Sequence, residues 1–182
     1  MFRGIIRIMK LIDEIKKLRE TKVKGIIKTR LKEFESFGKK SNKEWFSELC
    51  FCILTANSRA KTAINIQNEL KPTGFIDKNQ IELSEAIKRN KHRFYNNKAK
   101  FICSARKHIN IKDKLKKFNE TNAREWLVNN VKGIGYKEAS HFLRNTGSKN
   151  IAILDRHILS LMAENNFIKE KPKSLRAYPY RE

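Results

Sequence analysis

The stretch that decides the fold is LVNNVKGIGYKEASHFLRNTGSKNIAILDRH, residues 127–157. Apolar residues recur at helical spacing on both sides of the segment 132–136, so the stretch predicts two helices joined by a tight hairpin turn. Glycine at positions 133 and 135 permits the positive φ that such a turn needs. We expect Ile134, which lies between these glycines, to plug into the core.

The hairpin turn is a candidate phosphate-binding site. Backbone N–H groups at the start of the second helix lie at the positive end of the helix dipole, which suits a nucleic-acid phosphate. An ordinary turn between helices is the alternative. The chain has 41 Lys and Arg against 19 Asp and Glu residues, a formal net charge of +22. This excess favours the phosphate and predicts a polyanionic partner, nucleic acid first and an anionic membrane second.

Lys137 and Asp155 are the candidate chemical groups. Lys137 falls in the first turn of the second helix, where the dipole opposes a cation and favours the neutral amine that a nucleophile requires. Asp155 lies 18 positions further (155 − 137), directly after the apolar run 151–154. This connector can bring the carboxylate back beside Lys137. An ordinary exposed lysine and an ordinary helix cap are the alternatives, and a capping carboxylate also stays ionised.

Helical periodicity dominates the rest of the chain and predicts an all-α fold of many short helices. A capping box at Ser41 and Glu44 begins a helix that is apolar on most sides, so we place it at the centre of the core. The predicted helices before the hairpin cover about residues 5–20, 23–37, 42–54, 59–70, 80–89, 94–108 and 123–131.

Local signals set the ends of these predicted helices. We expect Ser58 to cap the helix 59–70, and Lys71-Pro72-Thr73-Gly74 to break the chain. Asn122 and Glu125 repeat the capping-box spacing before the helix that runs to Val131. The only candidate strand is Asn150–Leu154, and it is short.

Several classes of protein are excluded. No uncharged stretch approaches the ~20 residues of a membrane span, and acidic residues follow the basic, apolar start directly, so we expect no signal peptide. Three cysteines are too few for a disulfide framework, and Cys50 and Cys52 have neither a zinc nor a redox spacing. We expect Cys50, Cys52 and Cys103 to be buried thiols in a reducing cytoplasm.

The runs KGIGYKEASHFLRN (132–145) and AILDRHIL (152–159) resemble the helix-hairpin-helix DNA glycosylases, in particular the archaeal-type 8-oxoguanine DNA glycosylase/AP lyases. The resemblance covers about residues 30–170, including WFSELCFCILTAN (45–57) and HRFYNNKAKFI (92–102). It implies one domain over residues 1–182: a two-lobed helical bundle with a helix-hairpin-helix motif, then a Gly-rich, apolar connector and a catalytic aspartate.

The resemblance implies a role in base excision repair of DNA. Lys137 matches the lysine that attacks C1′ of the damaged nucleotide, expels the base and leaves a Schiff base, after which β-elimination cuts the strand. Asp155 matches the aspartate that helps to activate this lysine and stabilises positive charge on the sugar. The damaged base must be flipped out of double-stranded DNA into a pocket between the lobes.

Other positions match the family's DNA-binding residues. The resemblance implies that Gly133, Ile134 and Gly135 form the phosphate-binding turn and that His157 contacts a phosphate. It implies that Asn57 fills the gap left by the flipped base. Arg93 is expected to contact DNA, and Phe94 to line the base pocket. Local alternatives stay open, because His157 can be an exposed helix histidine, Asn57 a turn residue and Phe94 part of the core.

The resemblance implies no required cofactor, although hairpin carbonyls in this fold often hold a monovalent cation. We expect no iron–sulfur cluster, because the four C-terminal cysteines that some relatives use are absent.

We also expect a cytoplasmic, nucleoid-associated monomer that binds no membrane. The family continues past KPKSLRAY (171–178) into a helix of the base pocket. We therefore expect a shortened C-terminus, with residues 171–182 free to be disordered and selectivity for 8-oxoguanine weakened.

Two other functions remain open. A glycosylase of this fold can act on another oxidised base. A helix-hairpin-helix protein without catalysis would bind duplex DNA with a steep salt dependence and cut nothing.

Overall fold

A computed structural model describes the backbone of residues 2–172 and the side chains of residues 8–172. Within this range the chain forms ten α-helices and a 3-10 turn, Arg106–His108, and no strand. The helices are α1 Phe2–Arg19, α2 Val23–Phe37, α3 Asn42–Thr55, α4 Ala60–Asp77, α5 Gln80–Arg89, α6 Tyr95–Ala105, α7 Ile111–Leu115, α8 Glu120–Asn130, α9 Tyr136–Asn145 and α10 Arg156–Glu164. The prediction of an all-α fold is confirmed. Most of the predicted tail, residues 173–182, lies outside the described residues.

Helix α3 is the centre of the core, as its composition predicts. Ser41 Oγ accepts from the N–H of Glu44 at 3.4 Å, and the Glu44 carboxylate accepts from the N–H of Ser41 at 2.9 Å, so the predicted capping box is confirmed. Residues 45–54 are all buried. Helix α3 contacts α4, α6, α7 and α9, so most of the helices that surround the core pack against it.

The hairpin joins α8 to α9, which pack against each other. Ile134 is buried in the core as predicted, and so are Ala139, Phe142 and Leu143 of α9. Helix α9 also packs against α3. The hairpin turn is therefore anchored to the central helix through an apolar face.

Two predicted helix caps are wrong. The N-cap of α4 is Arg59, and the N–H of Ser58 instead donates to the carbonyl of Thr55 at the end of α3. The N-cap of α8 is Asn119, whose Oδ1 accepts from the N–H of Asn122 at 2.8 Å. Helix α8 therefore begins three residues earlier than predicted, because an asparagine in extended backbone conformation precedes the one that the pattern favoured.

The remaining differences concern short elements. The predicted break after Leu70 is a kink inside α4, where Lys71 leaves the helical conformation (φ 54°, ψ 176°). Pro72 follows it, and helical backbone is disfavoured in the residue before a proline. Helix α7 was not predicted, since five residues give little periodicity, although Ile111 and Leu115 are buried. The candidate strand Asn150–Leu154 is wrong, because this connector has irregular backbone in the described chain.

Helices α1 and α2 form at the predicted positions, but their apolar stripes stay largely exposed. Large apolar side chains at least two-fifths exposed on these helices are Met9, Ile12, Ile15, Leu18, Val23, Ile26, Ile27 and Leu31. No helix in the described range has both the length and the apolar character to cross a bilayer.

The start of α8 gives a direct test of its cap. We expect Asn119→Ala to lower the free energy of unfolding by ~1 kcal/mol, because an orphan N–H loses its acceptor. Asn122→Ala is the matched control and should cost nothing, since alanine is the better helix former. Urea unfolding of both variants measures this, and a larger loss for Asn122→Ala would place the cap where the sequence pattern put it.

Candidate active site

A polar cavity of about 890 Å³ opens between the end of α3, the segment before α6 and the starts of α9 and α10. It brings together six of the residues that the sequence singled out, namely Asn57, Arg93, Phe94, Lys137, Asp155 and His157. Further lining residues are Thr55, Ser58, Arg59, Glu138, Arg156, Ser160 and Lys171. Cations outnumber anions on this wall, so the cavity attracts a negatively charged ligand.

Asp155 is the N-cap of α10. Its Oδ1 accepts from the N–H groups of His157 and Ile158, each at 2.9 Å. The hydrogen bond from Ile158 is the main reason why the pKa of Asp155 is lowered, and the bond from His157 and the charges of His157 and Lys137 add to it. The cap predicted for Asp155 is thus confirmed, and its carboxylate is ionised at neutral pH.

Lys137 is the second residue of α9, in its first turn as predicted, and its side chain is 36% exposed. Its nearest carboxylate is that of Glu138, with Nζ 3.6 Å from Oε1. Lys137 and Asp155 share the cavity without a direct ion pair between them. Space therefore remains between the amine and the carboxylate for a bound group.

Glu138 is a site residue that the sequence analysis missed. It lies on the cavity wall, and its Oε2 accepts from the N–H of Gly135 at 3.3 Å. The signal was present, because Glu138 stands three residues after the N-cap Gly135, the spacing of a capping glutamate. This carboxylate occupies the N–H group that the hairpin was expected to offer to a phosphate.

The two hairpin glycines differ in backbone conformation. Gly133 has φ +85°, and a Cβ atom there would lie 2.6 Å from Cδ2 of Phe101. Gly135 has φ −104° and ψ −177°, which any residue adopts. The expected positive φ therefore holds for Gly133 alone, where glycine also allows α6 to approach closely.

The other predicted residues surround the opening of the cavity. Asn57 is exposed in the α3–α4 turn with φ 60°, and His157 is exposed in the first turn of α10. The guanidinium of Arg93 lies 4.4 Å from the centre of the Phe94 ring. Phe94 is half-buried and faces the cavity, so it is not part of the fully buried core.

A second cavity of about 350 Å³ lies further along α9, against α2, α3 and α4. His141, one turn after Lys137, lines it, and burial together with the charges of Arg144 and Lys137 lowers its pKa to about 4. Glu48 is also buried there, which raises its pKa, and its Oε1 accepts from Asn145 at 2.6 Å. Sequence reasoning missed these groups because neither belongs to a motif, and their burial results from packing between helices that are distant in the sequence.

The cysteines lie away from both cavities. Cys50 and Cys52 are buried, as expected, and burial raises the pKa of both thiols, while Cys103 is only half-buried. Nowhere in the described residues do three His, Cys, Asp or Glu side chains cluster as metal ligands. The monovalent cation at the hairpin stays a prediction.

Comparison with known proteins gives concordant matches. A family model described as 8-oxoguanine DNA glycosylase matches residues 27–182. The 8-oxoguanine DNA glycosylase/AP lyase of Methanocaldococcus jannaschii is 53% identical over 175 residues, 96% of this chain and 84% of the relative. The protein of the same name from Korarchaeum cryptofilum is 44% identical, over 91% of this chain and 78% of that relative.

Solved structures match as well. The crystal structure of the M. jannaschii 8-oxoguanine DNA glycosylase aligns with TM-score 0.88 and 53% identity, over 94% of this chain and 80% of that one. A second structure of the M. jannaschii glycosylase/lyase, in complex with a 15mer DNA containing 8-oxoguanine, aligns with TM-score 0.88 and 52% identity, over 94% of this chain and 83% of that one.

The hairpin turn should be intolerant at one glycine only. We expect Gly133→Ala to lower the free energy of unfolding by about 2 kcal/mol, because alanine is strained at positive φ and its Cβ meets Phe101. Gly135→Ala is the matched control and should cost at most a few tenths of a kcal/mol, since only the movable Glu138 carboxylate lies near. Equal losses in urea unfolding would contradict this difference.

Substitutions at Asp155 should separate its cap from its charge. Asp155→Asn keeps a cap acceptor but removes the charge, so near neutral pH it should lose less stability than Asp155→Ala, which removes both and should lose ~1 kcal/mol. Because the folded-state pKa of Asp155 is lowered, its charge contributes stability above the unfolded-state value of 3.8, and this is lost as pH falls through the folded-state pKa.

The matching measurement is urea unfolding of wild type and Asp155→Asn between about pH 6 and about pH 3. The wild type should lose more stability than Asp155→Asn over this range. Parallel losses would mean that the Asp155 charge adds nothing to folding.

Proposed function

Because this chain belongs to the family of 8-oxoguanine DNA glycosylases, we propose that it removes 8-oxoguanine from DNA and then cuts the strand as an AP lyase. The single observation that carries the residue assignment is the shared cavity of Lys137 and Asp155. A deoxyribose bound in this cavity would meet both an amine and an ionised carboxylate.

Lys137 acts as the nucleophile. Its neutral Nζ attacks C1′ of the damaged nucleotide, the N-glycosidic bond breaks, and the base leaves with the bonding electrons and gains a proton. The nitrogen then loses one proton, the bond from C1′ to the ring oxygen O4′ breaks, and O4′ takes up a proton, which leaves a protonated Schiff base between Nζ and C1′. Loss of a proton from C2′ then breaks the bond from C3′ to the phosphate oxygen, and the strand is cut.

Asp155 stabilises the positive charge that develops on the sugar during base loss. Its two backbone hydrogen bonds hold the carboxylate in one orientation and keep it ionised. A fixed anion of this kind needs no reorganisation when the charge appears, and it acts most strongly once bound DNA has excluded water.

The surroundings of the cavity support binding of double-stranded DNA with the damaged nucleotide flipped out. C1′ cannot reach Lys137 from within a base stack, so the nucleotide has to enter the cavity. All four remaining site residues line this cavity. We assign Arg93 and His157 to phosphates of the DNA, Phe94 to the base, and Asn57 to the gap that the flipped base leaves. The turn Gly133-Ile134-Gly135 contacts the DNA backbone further along, where a phosphate has to displace the Glu138 carboxylate from the N–H of Gly135. A cytoplasmic monomer is sufficient for this function.

The cavity contains a second amine, which gives a sharp test of the nucleophile. Lys171 also lines it, with Nζ 2.7 Å from Ser160 Oγ. We expect borohydride to trap a covalent adduct of the wild type with duplexes carrying 8-oxoguanine or an abasic site. Lys137→Gln should abolish the adduct, because the Lys171 amine is held by Ser160 instead. Gel electrophoresis of the trapped complex measures this.

Lys171→Gln is the matched control and should keep the adduct. Loss of trapping in Lys171→Gln alone would assign the nucleophile to Lys171. Tight duplex binding with no adduct in the wild type would favour the non-catalytic alternative, and a panel of oxidised pyrimidines distinguishes another substrate base.

A further inference from the structure

The carboxyl end of α3 is held by two side chains that the proposed chemistry does not use. The carbonyls of residues 52–56 have no continuing helix to bond with, and no glycine caps α3. Two of these carbonyls have local donors: Thr55 Oγ1 donates to Cys52 at 2.9 Å, and the N–H of Ser58 donates to Thr55 at 3.0 Å. The other three have donors from distant residues. Lys98 Nζ donates to Ile53 at 2.6 Å and to Ala56 at 2.9 Å, and His92 Nε2 donates to Leu54 at 2.9 Å.

Lys98 is an unusual residue for this task because it is only 5% exposed. Burial lowers its pKa to about 8, and Glu138 is the nearby charge that opposes this shift. An apolar side chain would avoid the cost of burying an amine, but it would leave the carbonyls of Ile53 and Ala56 without a donor. The position therefore requires a donor that bridges two carbonyls.

His92 connects the same helix end to a second segment. Its Nδ1 accepts from the N–H of Phe94 at 3.1 Å, so the ring proton is on Nε2, which donates to the carbonyl of Leu54. The ring is buried, and burial lowers its pKa, so this neutral form is the stable one. His92 thus links α3 to the residues that precede α6.

Both linked segments form one wall of the cavity. The turn 55–59 includes Asn57 in the left-handed conformation, and the segment 93–94 includes the stacked pair of Arg93 and Phe94. Lys98 and His92 do not line the cavity but bind backbone carbonyls of this wall, whereas Lys137 and Asp155 line the cavity from α9 and the start of α10. The two side chains therefore set the position of the wall relative to the amine.

We propose that Lys98 and His92 are positioning residues, which hold the turn 55–59 and the segment 93–94 in one rigid wall that receives the extruded damaged nucleotide. This inference rests on the proposed function, because it assigns a role in the same reaction. Neither side chain touches the reacting atoms, so both act through Asn57, Arg93 and Phe94.

Lys98→Met is the direct test, and Lys112→Met is its matched control. Lys112 Nζ also donates to two backbone carbonyls, of Lys39 and Lys40, but away from the cavity before α3. Single-turnover excision of 8-oxoguanine should fall by about tenfold or more in Lys98→Met, since small displacements of positioning groups have large effects. Cleavage of a preformed abasic site, which has no base to extrude, should fall by less than about threefold.

Lys112→Met should keep both rates, measured at a temperature where all variants are folded. A general loss of stability would reduce excision of 8-oxoguanine and cleavage of the abasic site by the same factor. If the ratio of these two rates in Lys98→Met equals the wild-type ratio, the proposal is overturned. A double-mutant cycle with Asn57→Ala adds a second criterion. If Lys98 acts through this wall, the double variant should excise 8-oxoguanine at a rate within about twofold of that of Asn57→Ala alone. Fully additive losses of excision rate in the double variant would contradict the proposal.

Hydrogen exchange gives a readout that does not depend on excision. Amides of residues 55–59 and 92–95 should exchange about tenfold faster in both Lys98→Met and His92→Phe than in the wild type, and at the wild-type rate in Lys112→Met. Unchanged exchange in Lys98→Met would overturn the proposal. A wild type that neither traps nor excises would refute the proposed function instead, and the exchange data would still decide whether Lys98 holds the wall.

Discussion

Burial of α3 on nearly all sides is the constraint on which the rest of the structure depends. A helix in this position cannot leave the polar groups of its ends to water, so side chains must satisfy them. At its start, Ser41 and Glu44 do so locally. At its other end the donors come from more than thirty residues away, from His92 and Lys98. The need to pair the last carbonyls of α3 therefore also brings α6 next to the turn after α3.

Two helix starts meet at the cavity. Asp155 is the N-cap of α10, where two backbone N–H groups bind its carboxylate and lower its pKa. Lys137 lies in the first turn of α9, with its Nζ 3.6 Å from Oε1 of Glu138. The arrangement of two helix N-termini around one cavity therefore brings an ionised carboxylate and an amine to the same place.

Local patterns predicted the elements whose causes are local. The capping box of α3, the buried Ile134 and the cap at Asp155 follow from neighbours in the sequence, and so does the position of Lys137 in a first turn. The start of α8 was misplaced because two asparagines three positions apart give the same signal. Lys98 and His92 could not have been found, since their partners are carbonyls, which have no sequence signature. A lysine in a basic chain looks like any other until its burial is known.

The thiols of this chain have a practical consequence for spectroscopy. Cys50 and Cys52 are shielded by the core and held as protonated thiols, whereas Cys103 is half-buried. An alkylating spin label or fluorophore should therefore modify Cys103 first, without mutagenesis to remove competing sites. Cys103 is on α6, the helix that contains Lys98. A reporter attached there would follow the motion of this helix in real time as a duplex is engaged and released.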